Sequence, residues 1–189
     1  MKGVFGCYRN TIKLRSGVYF DLANPPDDFT FADIAGALSK ICRFGGQIDK
    51  FYSVAEHCWH CCRQAEKDGL PIETQRSILL HDAAEAFIGD VVKPLKVMLP
   101  AYKEIELRIE AAIAKKFGVD FTRDEAAIGK IDREMLIAER HSMFSRDSVL
   151  WTGENEVRRI SPDFRCWDHI SAEANFVSLA INTGINVNA

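Results

Sequence analysis

The 189-residue chain carries 24 Lys and Arg against 27 Asp and Glu, a formal net charge of −3 at pH 7. That balance gives no general attraction to a nucleic-acid polymer or an anionic membrane, and contents of 47% hydrophobic and 27% charged residues are those of a soluble globular protein. The length suits one domain, residues 1–189, with a substantial single core.

Residues 1–14 lack the long apolar region and small-residue cleavage site of a signal peptide. The six cysteines, Cys7, Cys42, Cys58, Cys61, Cys62 and Cys166, are therefore expected to be reduced thiols of a cytoplasmic protein. No apolar run approaches the roughly 20 residues that span a bilayer, so no membrane contact is expected.

In chain order, residues 10–22 read as a short hairpin. Ile12 and Leu14 alternate with polar residues, Arg15-Ser16-Gly17 supplies the turn, and Val18 to Leu22 returns. After Asn24-Pro25-Pro26 the pattern becomes helical from Phe29, with Ile34, Leu38 and Ile41 on one face, and stops near Arg43-Phe44-Gly45-Gly46. A second helix opens at Ser53, with Glu56 at the capping-box position, and ends near Asp68-Gly69. A third helix is expected from Thr74 to Gly89-Asp90, followed by a loop or short turn over 91–96. Pro100 starts a long amphipathic helix with Tyr102, Ile105, Ile109, Ala112 and Ile113 on its apolar stripe, and Gly118 ends it. Thr122 reads as the next N-cap, with Glu125 completing its box, and Asp132 falls between Ile128 and Met135 at helical spacing. Residues 145–167 read as an irregular excursion, a lid or a subunit contact. A last helix over about 168–181 has Ile170, Ala174, Phe176 and Leu179 as core candidates.

The stretch Ile78 to Lys96 carries the chemistry. It opens as an apolar run and then places His81, Asp82 and Glu85 where a buried helix would carry aliphatics. Buried charge is tolerated mainly when it is paired or binds a metal. His57, His81, Asp82 and Asp132 would give a divalent cation two imidazoles and two carboxylates with positions left open. Glu85, four residues after His81, would orient or deprotonate a water acidified by that cation.

Val54-Ala55-Glu56-His57, Leu80-His81-Asp82-Ala83-Ala84-Glu85, Gly89-Asp90 and Ile131-Asp132 together resemble the H…HD…D signature of the HD-domain metal-dependent phosphohydrolases. The branch most similar is that of the YfbR-like 5′-deoxynucleotidases and their phage relatives, which include dATP triphosphohydrolases. The resemblance covers about Asp21 to Glu139. HD alone is moderately specific; VAEH with LLHDAAEAFIGD and KPLK is strongly so. The resemblance implies an all-α, HD-domain helical bundle, to which the small N-terminal β-hairpin is an addition. It implies His57, His81, Asp82 and Asp132 as ligands of Co, Mn, Zn or a similar ion, with Mg allowed. Asp82 and Glu85 would be catalytic, with Glu85 acting on the attacking water, and Arg43 and Lys96 would hold a substrate phosphate. Phe44 stands where those relatives carry Trp beside the base or sugar, which leaves a smaller wall and an open base preference. The implied substrate is a deoxynucleotide, as a 5′-deoxynucleotidase or, alternatively, a dNTP triphosphohydrolase releasing triphosphate. The implied assembly is a homo-oligomer, a dimer or larger.

Two other readings compete. His57, Cys58, His60, Cys61 and Cys62 crowd into six residues and invite a structural zinc. Such sites usually draw paired ligands from two separated segments, so buried free thiols are the default. A non-catalytic nucleotide sensor is the other, and Glu85 argues against it, because binding alone needs no water-activating base. Hydrolysis of cyclic dinucleotides or of (p)ppGpp, also HD chemistries, ranks lower.

Overall fold

A computed structural model describes residues 10–145 and 149–189. Cys7 and residues 146–148 of the expected irregular excursion lie outside them. The described chain is an all-α bundle with a small N-terminal hairpin.

Strands β1 (Thr11–Lys13) and β2 (Tyr19–Asp21) pair antiparallel, with Ile12 opposite Phe20. Phe20 is fully buried and stacks on Phe87 at 4.1 Å between ring centroids. Helix α1 (Phe31–Leu38) buries Phe31, Ile34, Ala35 and Leu38. Its start is a reciprocal capping box: Thr30 Oγ1 accepts the Asp33 N–H at 3.1 Å, and the Asp33 carboxylate accepts the Thr30 N–H at 2.9 Å. Asp33 also accepts the Ser16 N–H at 2.8 Å, which ties the hairpin turn to the helix.

Burial raises the Asp33 pKa, but the donors of Ser16 and Thr30 outweigh it and hold the group below its usual 3.8. A depressed folded value means that this stabilisation is complete above 3.8 and is lost as the pH falls through the folded pKa. Asp33→Ala is expected to cost about 1–2 kcal/mol at pH 7. Urea unfolding of both proteins at descending pH should show the gap closing in acid. A gap that stays constant to the lowest pH at which the parent folds would mean that the carboxylate charge contributes nothing.

Helix α2 (Val54–Lys67) is the central element and packs against α1 and three later helices. Ser53 Oγ accepts the Glu56 N–H at 3.1 Å. The expected box is only half made, because the Glu56 carboxylate turns to tertiary donors instead. Its two oxygens accept the consecutive N–H groups of Arg165, Cys166 and Trp167 at 2.8, 2.9 and 2.7 Å.

The expected single helix over 74–89 is broken. Helix α3 (Ile72–Leu79) and the short α4 (Glu85–Ile88) are separated by a turn at 80–84. The cause is local. The His81 imidazole donates Nδ1–H to the Ile78 carbonyl at 2.7 Å, taking the acceptor that a continuous helix would give to the Asp82 N–H. The ladder tightens to i−3 bonds, such as Ala83 N–H to Leu80 O at 2.9 Å and Glu85 N–H to Asp82 O at 3.0 Å.

Residues expected as a loop form helix α5 (Lys93–Met98), with Pro94 in its first turn, where a missing N–H costs nothing. Helix α6 (Pro100–Phe117) buries Ile109, Ile113 and Phe117 and ends on Gly118, whose φ of 65° completes a left-handed cap. Helix α7 (Phe121–Met143) starts from Asp120, not Thr122: the Asp120 carboxylate accepts the Arg123 N–H at 2.9 Å. Helix α8 (His169–Thr183) is capped by Asp168 and buries Ala172, Phe176, Leu179 and Ala180. Ile170 and Ala174, expected in the core, are exposed, because the buried stripe starts at Ala172.

One apolar cluster runs from Phe20 to Ile185, and a smaller one joins Cys61, Ala65, Ile78, Ile131 and Met135 between α2, α3 and α7. The second cluster is the floor on which the charged residues described next are set. Among the described residues no helix is long and apolar enough to cross a membrane.

Candidate metal centre

Four residues from three places in the chain converge: His57 on α2, His81 and Asp82 on the turn between α3 and α4, and Asp132 on α7. The two Nε2 atoms of His57 and His81 lie 3.3 Å apart. Asp82 Oδ2 is 3.6 Å from His57 Nε2 and 3.4 Å from His81 Nε2. Asp132 Oδ1 is 3.3 Å and 3.9 Å from the same two atoms. Donors at such separations can share one ion. The His57 side chain is fully buried, while that of Asp132 is 42% exposed, so the centre opens toward solvent on the α7 side.

The outer hydrogen bonds fix both rings. Nδ1 of His57 donates to Glu139 Oε1 at 2.6 Å, and Nδ1 of His81 donates to the Ile78 carbonyl. Each ring therefore turns Nε2 to the centre, the arrangement in which metal-ligating histidines are usually held. Two Nε2 lone pairs facing each other repel, and either a proton on one nitrogen or a metal ion between them relieves it. The electrostatics agree. Burial and Arg43 disfavour the His57 imidazolium, yet Cys61, Glu139 and Asp132 outweigh them and hold its pKa well above the usual histidine value. Burial disfavours the Asp132 carboxylate, but His57, His81 and Arg43 hold its pKa well below the usual range. Among the described residues two sets of donor atoms lie close enough to hold a metal ion, His57 with Cys61 and His81, and Cys58 with His81 and Asp82.

Arg43 enters through an irregular loop. Its N–H bonds the Tyr52 carbonyl at 2.9 Å, and Phe44 follows with φ 58°, a left-handed conformation that costs a bulky residue about 1 kcal/mol. Edge contacts of Phe44 with Phe144 and Trp151 hold it there, at 5.0 and 6.4 Å between centroids. Arg43 spends Nε and Nη2 on Glu139 Oε2, at 3.2 and 3.1 Å, which leaves Nη1 3.5 Å from Asp82. Lys96 Nζ lies 3.3 Å from Glu85 Oε1 and 2.8 Å from Glu106 Oε1. Helix α5 is steadied there by Tyr102, whose hydroxyl donates to the Gly89 carbonyl at 2.8 Å and whose ring lies under Lys96.

Glu85 is nearly buried, and its Oε2 has no hydrogen-bond partner among the described residues. Burial, reinforced by Asp82 and Asp90, pushes its pKa up to about 9 in spite of Lys96. An orphaned, proton-holding oxygen close to Asp82 and Asp90 suits a group that handles a proton.

Sequence reasoning missed Glu139, which binds His57, Arg43 and, at 2.9 Å, the Tyr52 hydroxyl. The available signal was its place seven residues after Asp132, two helical turns along the same face of α7. Glu106, which pairs Lys96, had no comparable signal. Among the described residues the thiols and histidines of α2 form no metal-holding set on their own; the sets that include Cys58 or Cys61 also draw on His81. Nε2 of His60 lies 3.5 Å from Glu56 and lacks a hydrogen-bond partner among the described residues, and Cys62 is buried in the apolar cluster. Burial pushes the Cys62 thiol up to about 12.

No family model matches the chain. It is 39% identical over 142 residues to "Uncharacterized protein YfdR" of Escherichia coli (strain K12), a match spanning 74% of this chain and 76% of that protein. The chain belongs to the YfdR family. A second relative of this YfdR-family chain, an uncharacterized protein of Rhodobacter capsulatus, is 34% identical over 113 residues, 57% of this chain and 58% of its own length.

Proposed function

We propose that this protein is a metal-dependent phosphohydrolase of deoxynucleotides, of the HD-domain type, acting as a 5′-deoxynucleotidase that releases deoxynucleoside and phosphate. The observation that carries this reading is the convergence of His57, His81, Asp82 and Asp132, flanked by two cationic side chains that are only partly spent. A bound divalent cation of the Co, Mn or Zn class supplies a Lewis acid and lowers the pKa of water. The chain does the rest. Nη1 of Arg43, 3.5 Å from Asp82, and Nζ of Lys96, held between Glu85 and Glu106, would bind phosphate oxygens. Glu139 and Glu106 hold these two cations in position. Glu85, with its unpartnered Oε2, would be the group to take a proton from the attacking water, its raised pKa brought down by the charge of a bound cation. Phe44, on the loop behind Arg43, would border the base or sugar. The reading carries with it assembly as a homo-oligomer, which size-exclusion chromatography with light scattering measures directly.

The test is a panel of deoxy- and ribonucleoside mono- and triphosphates with Co, Mn, Zn or Mg, in which phosphate and triphosphate release are distinguished. Phosphate from deoxynucleoside monophosphates is expected. Triphosphate from a deoxynucleoside triphosphate would move the substrate to that class, and no hydrolysis with any cation would end the enzymatic reading in favour of a binding role. Within this scheme Glu85→Ala is expected to keep the cation but lose about 10²–10⁴-fold in turnover. Equal turnover in that variant would remove Glu85 from the proton transfer.

A further inference from the structure

Phe20, Phe29, Phe31 and Phe176 are fully buried in the core. Another group of aromatic rings lies nearer the surface, beside the candidate centre: Phe44, Phe144 just after α7, and Trp151. The ring centroids are 5.0 Å apart for Phe44 and Phe144, 5.7 Å for Phe144 and Trp151, and 6.4 Å for Phe44 and Trp151. These contacts are edge-on, and each ring stays only half-buried. Aromatic surface left in water gives up the stabilisation that burial would bring, so packing alone does not account for the group.

The rings are held in place. Phe44 keeps a φ of 58°, a strained conformation of the kind that persists where its surroundings over-determine it and that clusters at ligand sites. Trp151 is fixed through its backbone and its ring. Its N–H donates to Glu154 Oε2 at 3.0 Å, the same oxygen accepts from Nη1 of Arg140 at 2.6 Å, and the Arg140 guanidinium lies 5.3 Å from the Trp151 ring centre. Glu154 and Arg140 are both buried, so the segment that carries Trp151 is pinned to α7.

Contacts lead outward from the centre in a definite order. Nη1 of Arg43 is 3.5 Å from Asp82, the Arg43 guanidinium lies 5.3 Å from the Phe44 ring centre, and Phe44 meets Phe144 and Trp151. Metal ligand, cation and aromatic surface follow one another as the reacting phosphorus, the phosphate oxygens and the base do along a nucleotide.

We infer that Trp151 and Phe144 extend Phe44 into an aromatic wall on which the nucleobase of the substrate stacks. The inference rests on the phosphohydrolase reading above and deepens it by naming what holds the base. Stacking needs only a π face, which every base has, so the wall gives affinity for a base and little choice among bases.

The test compares KM for a deoxynucleoside monophosphate with KM for deoxyribose 5-phosphate, which has the same sugar and phosphate without the base. The parent should show a KM at least about fivefold lower for the deoxynucleotide. Trp151→Leu, which keeps apolar bulk but no π face, should raise that KM about 5–100-fold with kcat within about threefold, and should move the KM for deoxyribose 5-phosphate far less. Trp151→Phe, which keeps a π face, should lie closer to the parent than the leucine variant does. Equal KM values for the two substrates in the parent, or a leucine variant that weakens both alike, overturn the inference while hydrolysis stands. A parent that cleaves neither substrate overturns the 5′-deoxynucleotidase reading, and the inference falls with it. Melting curves check that the variants fold, and the ratio measured on the parent decides where one does not.

Discussion

His81→Ala is expected to lose stoichiometric binding of a divalent cation and to hydrolyse nucleotide at least about 10³-fold more slowly than the parent. Of the four candidate ligands His81 is the most informative to remove. His57 also bonds Glu139, so its loss would disturb a buried network as well as the centre. His81 makes one structural bond, to the Ile78 carbonyl, and losing that donor costs about 1–2 kcal/mol. The variant should therefore fold. Metal content after dialysis and the melting temperature with and without added cation read the effect. A cation at 100 times its Kd stabilises the parent by about 2.7 kcal/mol, and the variant should gain none of it. A variant that binds the cation as tightly as the parent would take His81 out of the ligand set, and the proposed hydrolysis with it.

Glu139→Ala should be the most damaging substitution to the fold. Its carboxylate is fully buried and serves Arg43, Tyr52 and His57 at once. Burial disfavours the charged form, but Arg43 and His57 outweigh it and keep the group ionised. Removing it leaves the Arg43 guanidinium buried beside an apolar floor, a loss of about 3–5 kcal/mol. The His57 ring also loses the acceptor that fixes its tautomer, which lowers metal affinity about 10–100-fold. Urea unfolding gives the first quantity and cobalt titration the second. Glu139→Gln, which keeps an acceptor oxygen without the charge, should fall between parent and alanine in both. A stability loss under about 1 kcal/mol would show that Arg43 is satisfied by other groups.

The helices were readable where apolar residues recur with helical period and nothing competes with the backbone. This holds for α1, α6 and α7, and the alternation of residues 10–22 gave the hairpin in the same way. The errors arose where a side chain took a backbone group. His81 captured the Ile78 carbonyl and broke a helix whose apolar pattern runs on unchanged. Asp120 captured the start of α7 although Thr122 and Glu125 have the spacing of a box. Glu56 has the right place for a box and spends its carboxylate on residues more than a hundred positions away. Each is a contest between near-equal hydrogen bonds that only the folded neighbourhood decides. In the centre the ligand-type residues stood out because charge in an apolar run is costly. Glu139 did not, since an acid near the end of a long polar helix is ordinary until Asp132 is known to face inward.

Three N–H groups from residues 165–167 converge on the Glu56 carboxylate, one residue before His57. Those donors leave the ribosome more than a hundred residues after the acid they neutralise. A nascent chain that has made α2, α3 and α7 already holds every proposed ligand, yet the helix bearing the first of them still carries an uncompensated charge. Closing so long a loop is a late event in folding. Metal loading is therefore expected to wait for the segment carrying residues 165–167, which acts as the latch.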